Sequence, residues 1–519
     1  MTNLTKKKLS NFLKYLILIS FLFIIDWTLR DTFHERAFVG ILVSLVLLQF
    51  SKKLFYLYLI PNIVMLSLYL PNKLYSGPIS YNSVEALKYT NSSESIEYMQ
   101  GIPLFYYGAA VLLIITSFVI AKFKFGKIPK QATYGLLFVL LVLATKDVYG
   151  VVKYGVNNRT TSPILRNSFY PAASLAYKYH SFNEQIKEKE DILHNEDTQG
   201  WEITTTKPMK EVYVVVVGES SRKDLMNCYG FPINNTPFAS STPHVTFDQY
   251  ISIGASTVTS LTRALYLSEK ITSYNKYKNI ISLADQAQIH TTWLSNQGAV
   301  GRCDNPISII GRLAETNVFL KKGEFFNDNF PDSLLLNSYR EAVKKENGPQ
   351  LIVLHLMGSH PKVSDRTNNH YDTFYQTEQL SHYVQTVKNT DYLLGKVYEQ
   401  LKNSGKSFSL VYFSDHGLSM VKDKINNDYC IKHSDQYKEC YNVPLLIWGS
   451  DITENEYITH SRYSNDFLFL MAELMGVELK EKKHTAKFIS HTDYPNEQKI
   501  LNFNNEITTF EELKENKVF

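Results

Sequence analysis

Three apolar stretches of the sequence each end beside a glycine and at least one side chain of a type that binds metal ions. They are VYVVVVG (212–218) before Glu219, LIVLHLM (351–357) before Gly358, Ser359 and His360, and SLVYFS (409–414) before Asp415, His416 and Gly417. Glutamate, aspartate and histidine supply the oxygen and imidazole ligands of catalytic zinc or manganese. Parallel α/β sheets bind their ligands outside the carboxyl ends of their strands. A polar turn or a helix cap would explain one such ending, but three at one edge predict a metal site.

A group of hydroxyl side chains in SIGASTVTSLTRALYLS (252–268) could supply a nucleophile for this site. Its members are Ser252, Ser256, Thr257, Thr259, Ser260 and Thr262. Gly254 and Ala255 predict a bend before a helical stretch, which would place Ser256 or Thr257 at the amino terminus of the helix. Backbone N–H groups and the helix dipole stabilise a phosphate at such a position. An ordinary serine or threonine cap is the alternative, and the residues alone leave the choice open.

Strands that alternate with helices must position these side chains. The candidate strands are VYVVVVG (212–218), HTTWLS (290–295), LIVLHLM (351–357), SLVYFS (409–414) and VPLLIW (443–448), and helical patterns lie between them at 333–345 and 379–402. Continuous apolar strands separated by helices are typical of a parallel sheet that is covered on both faces. The fold class predicted for this part of the chain is α/β, with a mainly parallel sheet and helices on both sides of it.

The first third of the chain is predicted to be a membrane domain. Its apolar runs are 12–29, 37–50, 54–70, 104–121 and 133–152, and a helix needs about 20 apolar residues to cross the hydrocarbon layer. Lysines concentrate before the first run and after the second and fourth runs, which places the amino terminus in the cytoplasm. Five crossings then leave the remainder outside. We predict a membrane domain of five helices at 1–152, an interfacial linker at 153–210 and an exported domain at 211–519.

Charge and cysteine content limit the classes of protein that fit. The 519 residues carry a net charge of +4 with 20% charged residues, which does not favour a nucleic-acid binder. The four cysteines, Cys228, Cys303, Cys430 and Cys440, all lie in the predicted exported domain. An even number of cysteines in an oxidising compartment permits two disulfides. The local pair Cys430–Cys440 is favoured, although three connectivities are open.

Five motifs in a fixed order give the chain a family resemblance. They are GESSRKDLMNCYGF with NNTPF, GASTVTS, HLMGSHP, YFSDHG and NVPLLIW. In this order they resemble the membrane phosphoethanolamine transferases of the alkaline phosphatase and sulfatase superfamily, which include lipid A and lipopolysaccharide-core enzymes and the mobile colistin-resistance enzymes. The resemblance covers nearly the whole chain. It implies a bacterial inner-membrane protein with five amino-terminal helices and a periplasmic catalytic domain that has a sulfatase-like fold.

The resemblance also implies roles for individual residues. By motif, the metal ligands of the family match Glu219, Thr257, Asp415 and His416, and the nucleophile that becomes phosphorylated matches Thr257. The histidines that hold phosphate or a second metal match His360 and His433. The pair that contacts the ethanolamine head group matches Thr90 and Glu94. Positions 90 and 94 are four apart, which would place both on one face of a helix. An asparagine is expected one turn earlier, where this chain has Ala86. Zinc is the expected metal by affinity order, and manganese is the second choice.

The activity that the resemblance implies is a transfer in two steps. Thr257 would attack phosphatidylethanolamine, release diacylglycerol and pass phosphoethanolamine to a lipopolysaccharide core sugar or lipid A, with a periplasmic glucan and a protein as other acceptors that the sequence leaves open. We expect a monomer. Two alternatives are a phosphoglycerol transferase of the same superfamily, which would differ in the donor head group, and a membrane sensor with a degenerate transferase domain. Sulfatase activity is not expected, because the sequence has no C/S-x-P-x-R motif.

Overall fold

A computed structural model describes most of the chain. The described residues are 3–30, 39–90, 92–154, 170–195, 200–298, 306–321, 330–345, 348–423, 427–482, 484–495 and 497–518. The chain divides into two compact units, one comprising Met1–Ser80 and Tyr98–Lys187 and the other Tyr81–Glu97 and Glu188–Phe519. The predicted limits of the membrane domain, the linker and the exported domain stay predictions, because compactness does not show where a membrane lies.

The part of the chain before residue 200 is helical. Its helices are Asn3–Arg30, Val39–Phe50, Lys52–Ser76, Tyr81–Tyr89, Ser92–Gly101, Leu104–Ala121, Lys130–Tyr154 and Pro171–Asn195. Helices cover the described residues of all five predicted apolar runs. Among the described helices, three are long and apolar enough to cross a membrane, at Lys8–Leu29, Lys52–Ser76 and Leu104–Ala121, and the apolar helices Val39–Phe50 and Lys130–Leu143 are shorter. The apolar amino-terminal helices are thereby confirmed, and the number of crossings stays a prediction.

The part after residue 200 alternates strands and helices. The strands are β1 (Ile203–Thr206), β2 (Val212–Gly218), β3 (Val245–Phe247), β4 (Tyr250–Ile251), β5 (Tyr266–Leu267), β6 (Asn275–Asn279), β7 (His290–Gly298), β8 (Thr316–Lys321), β9 (Gln350–His355), β10 (Phe408–Ser414), β11 (Ser419–Lys422), β12 (Tyr429–Lys432), β13 (Asn442–Val443), β14 (Leu445–Gly449), β15 (Glu456–Ile458), β16 (Arg462–Tyr463), β17 (Val477–Leu479), β18 (Lys499–Leu501) and β19 (Ile507–Thr509). The α-helices are Pro237–Ser241, Thr257–Ala264, Ile280–Gln286, Pro306–Leu313, Leu335–Val343, Val363–Arg366, Glu378–Ser404 and Phe467–Met475. Eight strands form one sheet in the order β15-β3-β14-β10-β2-β9-β7-β8.

This sheet confirms the predicted α/β fold class and corrects one strand. Five of the seven pairings between neighbouring strands are parallel, including those that join β10, β2, β9 and β7. VPLLIW, which we expected among the parallel strands, runs antiparallel to β10 as β14. The connection explains this. The described part of residues 415–444 contains the β11–β12 hairpin but no α-helix, so the chain re-enters the sheet from the edge at which it left.

Apolar side chains of the central strands are buried on both faces of the sheet. Every residue of β2 is buried. Alternate residues of the strand point to opposite sides, and they pack into two separate cores that contain Leu335, Tyr339 and Leu380 on one face and Ile280, Leu283 and Phe467 on the other. A strand that is buried on both faces has a continuous apolar sequence. The charged side chains of the site can therefore be expected where such strands end.

The predicted disulfide between Cys430 and Cys440 is wrong. Both residues are free cysteines, as is Cys228, and Cys303 lies outside the described residues. Cys430 is paired with Val421 in the β11–β12 hairpin. Cys440 is buried in a different cluster of the core, and burial raises the pKa of its thiol to about 12. The two side chains belong to different elements, so proximity in the sequence does not bring their sulfur atoms together.

Candidate metal centre and active site

Two neighbouring parallel strands deliver the three buried side chains of the site. β2 ends at Gly218 and is followed by Glu219, and β10 ends at Ser414 and is followed by Asp415 and His416. Gly218 and Ser414 are partners in the parallel register, so the two strands end at the same level. The carboxyl edge of the sheet therefore brings together the side chains that the sequence places after these strands.

Glu219, Asp415 and His416 form a compact group. Their ligand atoms all lie within 4.8 Å of one another, and within the described part of the chain they are the one group of this kind. His416 Nε2 is 3.5 Å from Glu219 Oε1 and 3.4 Å from Asp415 Oδ2. At most 1% of the surface of each residue is exposed. Burial of two acids and one imidazole at this separation needs a compensating charge.

The charges and protons of the group fit a divalent metal ion. Burial and the charge of Asp415 raise the pKa of Glu219 to about 8, and burial raises the pKa of Asp415 to about 6. Asp415 Oδ2 has no hydrogen-bond partner among the described residues. His416 Nδ1 lies 2.9 Å from the carbonyl oxygen of Gly417, to which it must donate, so Nε2 turns a lone pair toward the carboxylates. A bound cation would accept the lone pairs that the two carboxylates and His416 Nε2 direct toward one point. The ligand set suits zinc.

Thr257 lies beside this group at the start of the helix Thr257–Ala264. The preceding residue, Ser256, is extended with φ −151° and ψ 151°. The Thr257 hydroxyl donates to Glu219 Oε2 at 3.2 Å, and its Oγ1 is 3.3 Å from His416 Nε2. Thr257 is half-buried, whereas Glu219 and His416 are fully buried. Its hydroxyl can therefore meet both the buried group and a substrate that arrives from solvent.

Other hydroxyls of the same segment are engaged elsewhere. Ser252 donates to Gly254 and Ser260, Ser260 donates to the carbonyl oxygen of Asp415, Thr259 donates to Glu85, and Thr262 donates to the carbonyl oxygen of Val258. Ser256 occupies the N-cap position of the helix, without a side-chain hydrogen bond to it. The sequence left six hydroxyls open, and the geometry favours Thr257 because its hydroxyl bonds to the side chains of the buried group.

The structure places His433 and His360 close to this centre. The His433 and His416 rings are 4.9 Å apart between centroids, and burial together with the His416 charge lowers the pKa of His433 to about 3. Burial also lowers the pKa of His360, with further contributions from the charges of nearby basic groups that include His433. Gly358 has φ +46°, and an added Cβ would lie 2.8 Å from the carbonyl oxygen of Glu219. Only glycine lets the loop before His360 approach the centre this closely.

The predicted helix that would carry Thr90 and Glu94 on one face is wrong. One helix ends at Tyr89 and the next begins at Ser92, so Thr90 follows the first helix and Glu94 belongs to the second. Asparagine and serine compete for backbone hydrogen bonds and favour helix ends over helix interiors, and the sequence TNSS at 90–93 contains three such residues. Thr90 is half-buried, and the side chain of Glu94 lies outside the described residues.

Sequence reasoning missed two residues that hold the loops of the site. Ser220, in left-handed backbone with φ 58°, donates its N–H to Asp415 Oδ1 at 2.9 Å and its hydroxyl to Glu219 Oε1 at 2.5 Å. Asp332 accepts from two successive backbone N–H groups of the loop before His360, at 2.8 and 2.9 Å. Ser220 could have been found, because it directly follows a candidate ligand. Asp332 gave no signal, because it lies 25 and 26 residues away from its partners in the sequence.

Known proteins share both the sequence and the fold. Residues 211–477 match the sulfatase family. Over 422 residues, 80% of this chain and 79% of the relative, the chain is 35% identical to the phosphoethanolamine transferase OpgE of Escherichia coli K12. This alignment extends well beyond the motifs of the metal centre.

Two solved structures share the fold at 18% sequence identity. One is the integral membrane protein lipooligosaccharide phosphoethanolamine transferase A of Neisseria meningitidis, with a TM-score of 0.55 over 90% of this chain and 95% of that chain. The other is the carboxyl-terminal periplasmic domain of EptC from Escherichia coli in complex with Zn, with a TM-score of 0.51 over 60% of this chain and 96% of that chain.

Proposed function

Because the chain belongs to the phosphoethanolamine transferases of the sulfatase family, we propose that it moves phosphoethanolamine from phosphatidylethanolamine to a hydroxyl of an envelope glycan through an intermediate on Thr257. One observation carries the proposal. Thr257 Oγ1 lies at a half-buried helix start, 3.2 Å from Glu219 Oε2 and 3.3 Å from His416 Nε2. This is where a nucleophile of phosphoryl transfer must lie if it is to be activated by the buried group.

Glu219, Asp415 and His416, together with Thr257 Oγ1, would hold the metal ion. We propose zinc, because two carboxylates and an imidazole suit it and because the related EptC domain was solved with zinc. Manganese is the alternative that the same ligand types accept. When bound, the ion would lower the pKa of the threonine hydroxyl and polarise a phosphoryl oxygen.

In the first half of the reaction, a bond forms between Thr257 Oγ1 and the phosphorus of the donor, and the bond from phosphorus to the diacylglycerol oxygen breaks. The hydroxyl of Thr257 already donates to Glu219 Oε2, so its proton has an acceptor in place. The departing diacylglycerol oxygen takes up one proton. N–H groups at the start of the helix Thr257–Ala264 stabilise the charge of the phosphate, and His360 and His433 are proposed to bond to its oxygens.

In the second half, the oxygen of an acceptor hydroxyl bonds to phosphorus and the bond from phosphorus to Thr257 Oγ1 breaks. The acceptor loses one proton, Thr257 regains one, and the enzyme returns to its first state. We propose a lipopolysaccharide core sugar or lipid A as the acceptor. The structural relative from Neisseria meningitidis, which is named for lipooligosaccharide, supports this class of acceptor.

The proposed location is the bacterial inner membrane, with the amino terminus in the cytoplasm and residues after 152 in the periplasm. The apolar amino-terminal helices and the periplasmic origin of the EptC domain support this placement. An alkaline phosphatase reporter fused after residue 152 is expected to be active, because this reporter needs the oxidising periplasm. If this reporter is inactive and a cytoplasmic reporter is active at the same position, the residues after 152 lie in the cytoplasm and the proposed topology is wrong.

The activity is tested with the full-length protein in detergent micelles that contain phosphatidylethanolamine. We expect diacylglycerol to be released, and we expect none with phosphatidylglycerol, the donor that a phosphoglycerol transferase would use. If diacylglycerol is released only from phosphatidylglycerol, the proposed donor is wrong and phosphatidylglycerol is the donor. The acceptor is identified by mass spectrometry of lipopolysaccharide and of periplasmic glucans from cells with and without the gene. A phosphoethanolamine group that appears only on the glucans would overturn the proposed lipopolysaccharide acceptor.

A further inference from the structure

Residues 81–97, which we call the donor segment, belong to the same compact unit as residues 188–519. The chain on either side of them, Met1–Ser80 and Tyr98–Lys187, forms the other unit. The donor segment contains Thr90 and Glu94, the two residues matched to the ethanolamine head group. Contacts at both ends of the donor segment hold it against the part of this unit that contains residues 188–519.

The first contact joins the donor segment to the helix that begins with Thr257. Glu85 is a buried acid with 6% of its surface exposed. Its carboxylate accepts from the Tyr81 hydroxyl at 3.1 Å and from Thr259 Oγ1 at 3.4 Å. The buried guanidinium of Arg263, on the same helix as Thr259, is close enough for its charge to interact with Glu85. The beginning of the donor segment is therefore fixed to the nucleophile helix.

The second contact is an ion pair at the other end of the donor segment. Arg366 Nη2 lies 2.7 Å from Glu97 Oε2, with 4% of the Arg366 side chain and 21% of the Glu97 side chain exposed. Arg366 ends the helix Val363–Arg366, which begins three residues after His360. The charge of Arg366 also contributes to lowering the pKa of His360. The end of the donor segment is therefore fixed to the loop region that carries this histidine.

A pair with this burial differs from the ordinary ion pairs of the surface. Exposed pairs contribute little to stability because water screens both charges. Arg366 is shielded from water almost completely, and removing one partner would leave a charge that is poorly solvated. The pair also spans 269 residues of sequence, so its main effect is to fix the separation between the donor segment and the histidine loop.

We propose that Glu97 and Arg366 are positioning residues for the lipid donor. With Glu85 as the first anchor, their ion pair holds the donor segment at a fixed distance from Thr257, so that the ethanolamine end of the donor is bound while its phosphorus lies at the nucleophile. The inference rests on the proposed function. It assigns these two residues no contact with the substrate and no role in proton transfer.

The test measures release of diacylglycerol from phosphatidylethanolamine by the full-length protein and two amide variants, Glu97→Gln and Arg366→Gln. Each variant is expected to raise the KM for the donor about tenfold, because a segment displaced by about 1 Å presents the head group in the wrong place. At saturating donor, kcat is expected to stay within about twofold of wild type, because Thr257 and the metal ligands are untouched. Zinc bound per chain is measured on the same samples and is expected to be unchanged.

The double variant Glu97→Gln with Arg366→Gln separates a coupled pair from two independent effects. A coupled pair predicts a KM about tenfold above wild type, as in each single variant, whereas independent effects would multiply to about a hundredfold. Glu399→Gln is the matched control, since it breaks an exposed pair with Lys396 at 2.8 Å on another helix and should change neither KM nor kcat.

Three results would overturn the inference while leaving the proposed function intact. They are an unchanged KM in both single variants, a multiplicative effect in the double variant, and a loss of kcat together with bound zinc, which would mark a purely structural role. Failure of the wild-type protein to release diacylglycerol would instead reject the proposed function, whatever the variants do.

Discussion

Thr257→Ala is expected to abolish transfer, lowering turnover by at least about 10³-fold, which is the scale of losing a covalent nucleophile. Thr257 Oγ1 bonds directly to Glu219 and lies beside His416. The hydroxyls of Ser252, Thr259, Ser260 and Thr262 bond to other partners. Thr257→Ser should retain part of the activity, because a hydroxyl remains at the same position. Release of diacylglycerol from phosphatidylethanolamine, followed over time, measures both variants.

Ser256→Ala is the control for this prediction. Ser256 precedes Thr257 at the N-cap position but makes no side-chain hydrogen bond to the helix. Its replacement should therefore cost no more than the loss of a cap, about 0.5–2 kcal/mol of stability, and it leaves Thr257 in place. The turnover of the folded Ser256→Ala protein is therefore expected to exceed that of Thr257→Ala by orders of magnitude. Full activity in Thr257→Ala, or an inactive but folded Ser256→Ala protein, would show that Thr257 is not the nucleophile.

Asp415→Ala and His416→Ala are each expected to release the metal ion and with it the activity. Each removes one of three buried groups that converge within 4.8 Å. Loss of a residue that merely supports a ligand costs about 10–100-fold in metal affinity, and loss of a ligand costs more. Elemental analysis of the purified full-length protein is expected to find one zinc per chain in wild type and almost none in either variant.

Asp466→Asn is the matched control for the metal prediction. Asp466 is another buried aspartate, and burial raises its pKa to about 7, but it is not part of the metal-binding group. Its amide variant should keep the zinc. If the wild-type protein contains no transition metal, or if Asp415→Ala retains as much as wild type, then the three residues do not form the metal centre.

The ends of the central strands could be predicted from the sequence because burial on both faces gives these strands a simple sequence pattern. Each strand is a continuous apolar run, and its first polar residue marks the edge of the sheet. Glu219, Asp415 and His416 are the side chains found this way, and parallel pairing of β2 with β10 brings them together. The position of Thr257 followed from a glycine bend and a helix start, although its choice among six hydroxyls needed the family resemblance and then the geometry.

Features that depend on long-range contacts could not be predicted. The antiparallel direction of β14 depends on the path of the connection that precedes it, which contains a hairpin and, in its described part, no α-helix. The end of one helix at Tyr89 and the start of the next at Ser92 follow local helix propensity, which the four-residue spacing of Thr90 and Glu94 does not reveal. The ion pair of Glu97 with Arg366 joins residues 269 positions apart. No pattern within a single sequence records such a contact.

The central claim is that phosphoethanolamine passes through Thr257, and intact-protein mass spectrometry tests it most directly. The full-length protein is incubated with phosphatidylethanolamine in the absence of any acceptor, and the trapped species is fragmented. We predict one phosphoethanolamine group per chain, located on Thr257, absent from Thr257→Ala and lost when an acceptor glycan is added. An adduct on Ser256, Thr259 or another residue, or diacylglycerol release with no adduct on the wild-type protein, would contradict the mechanism.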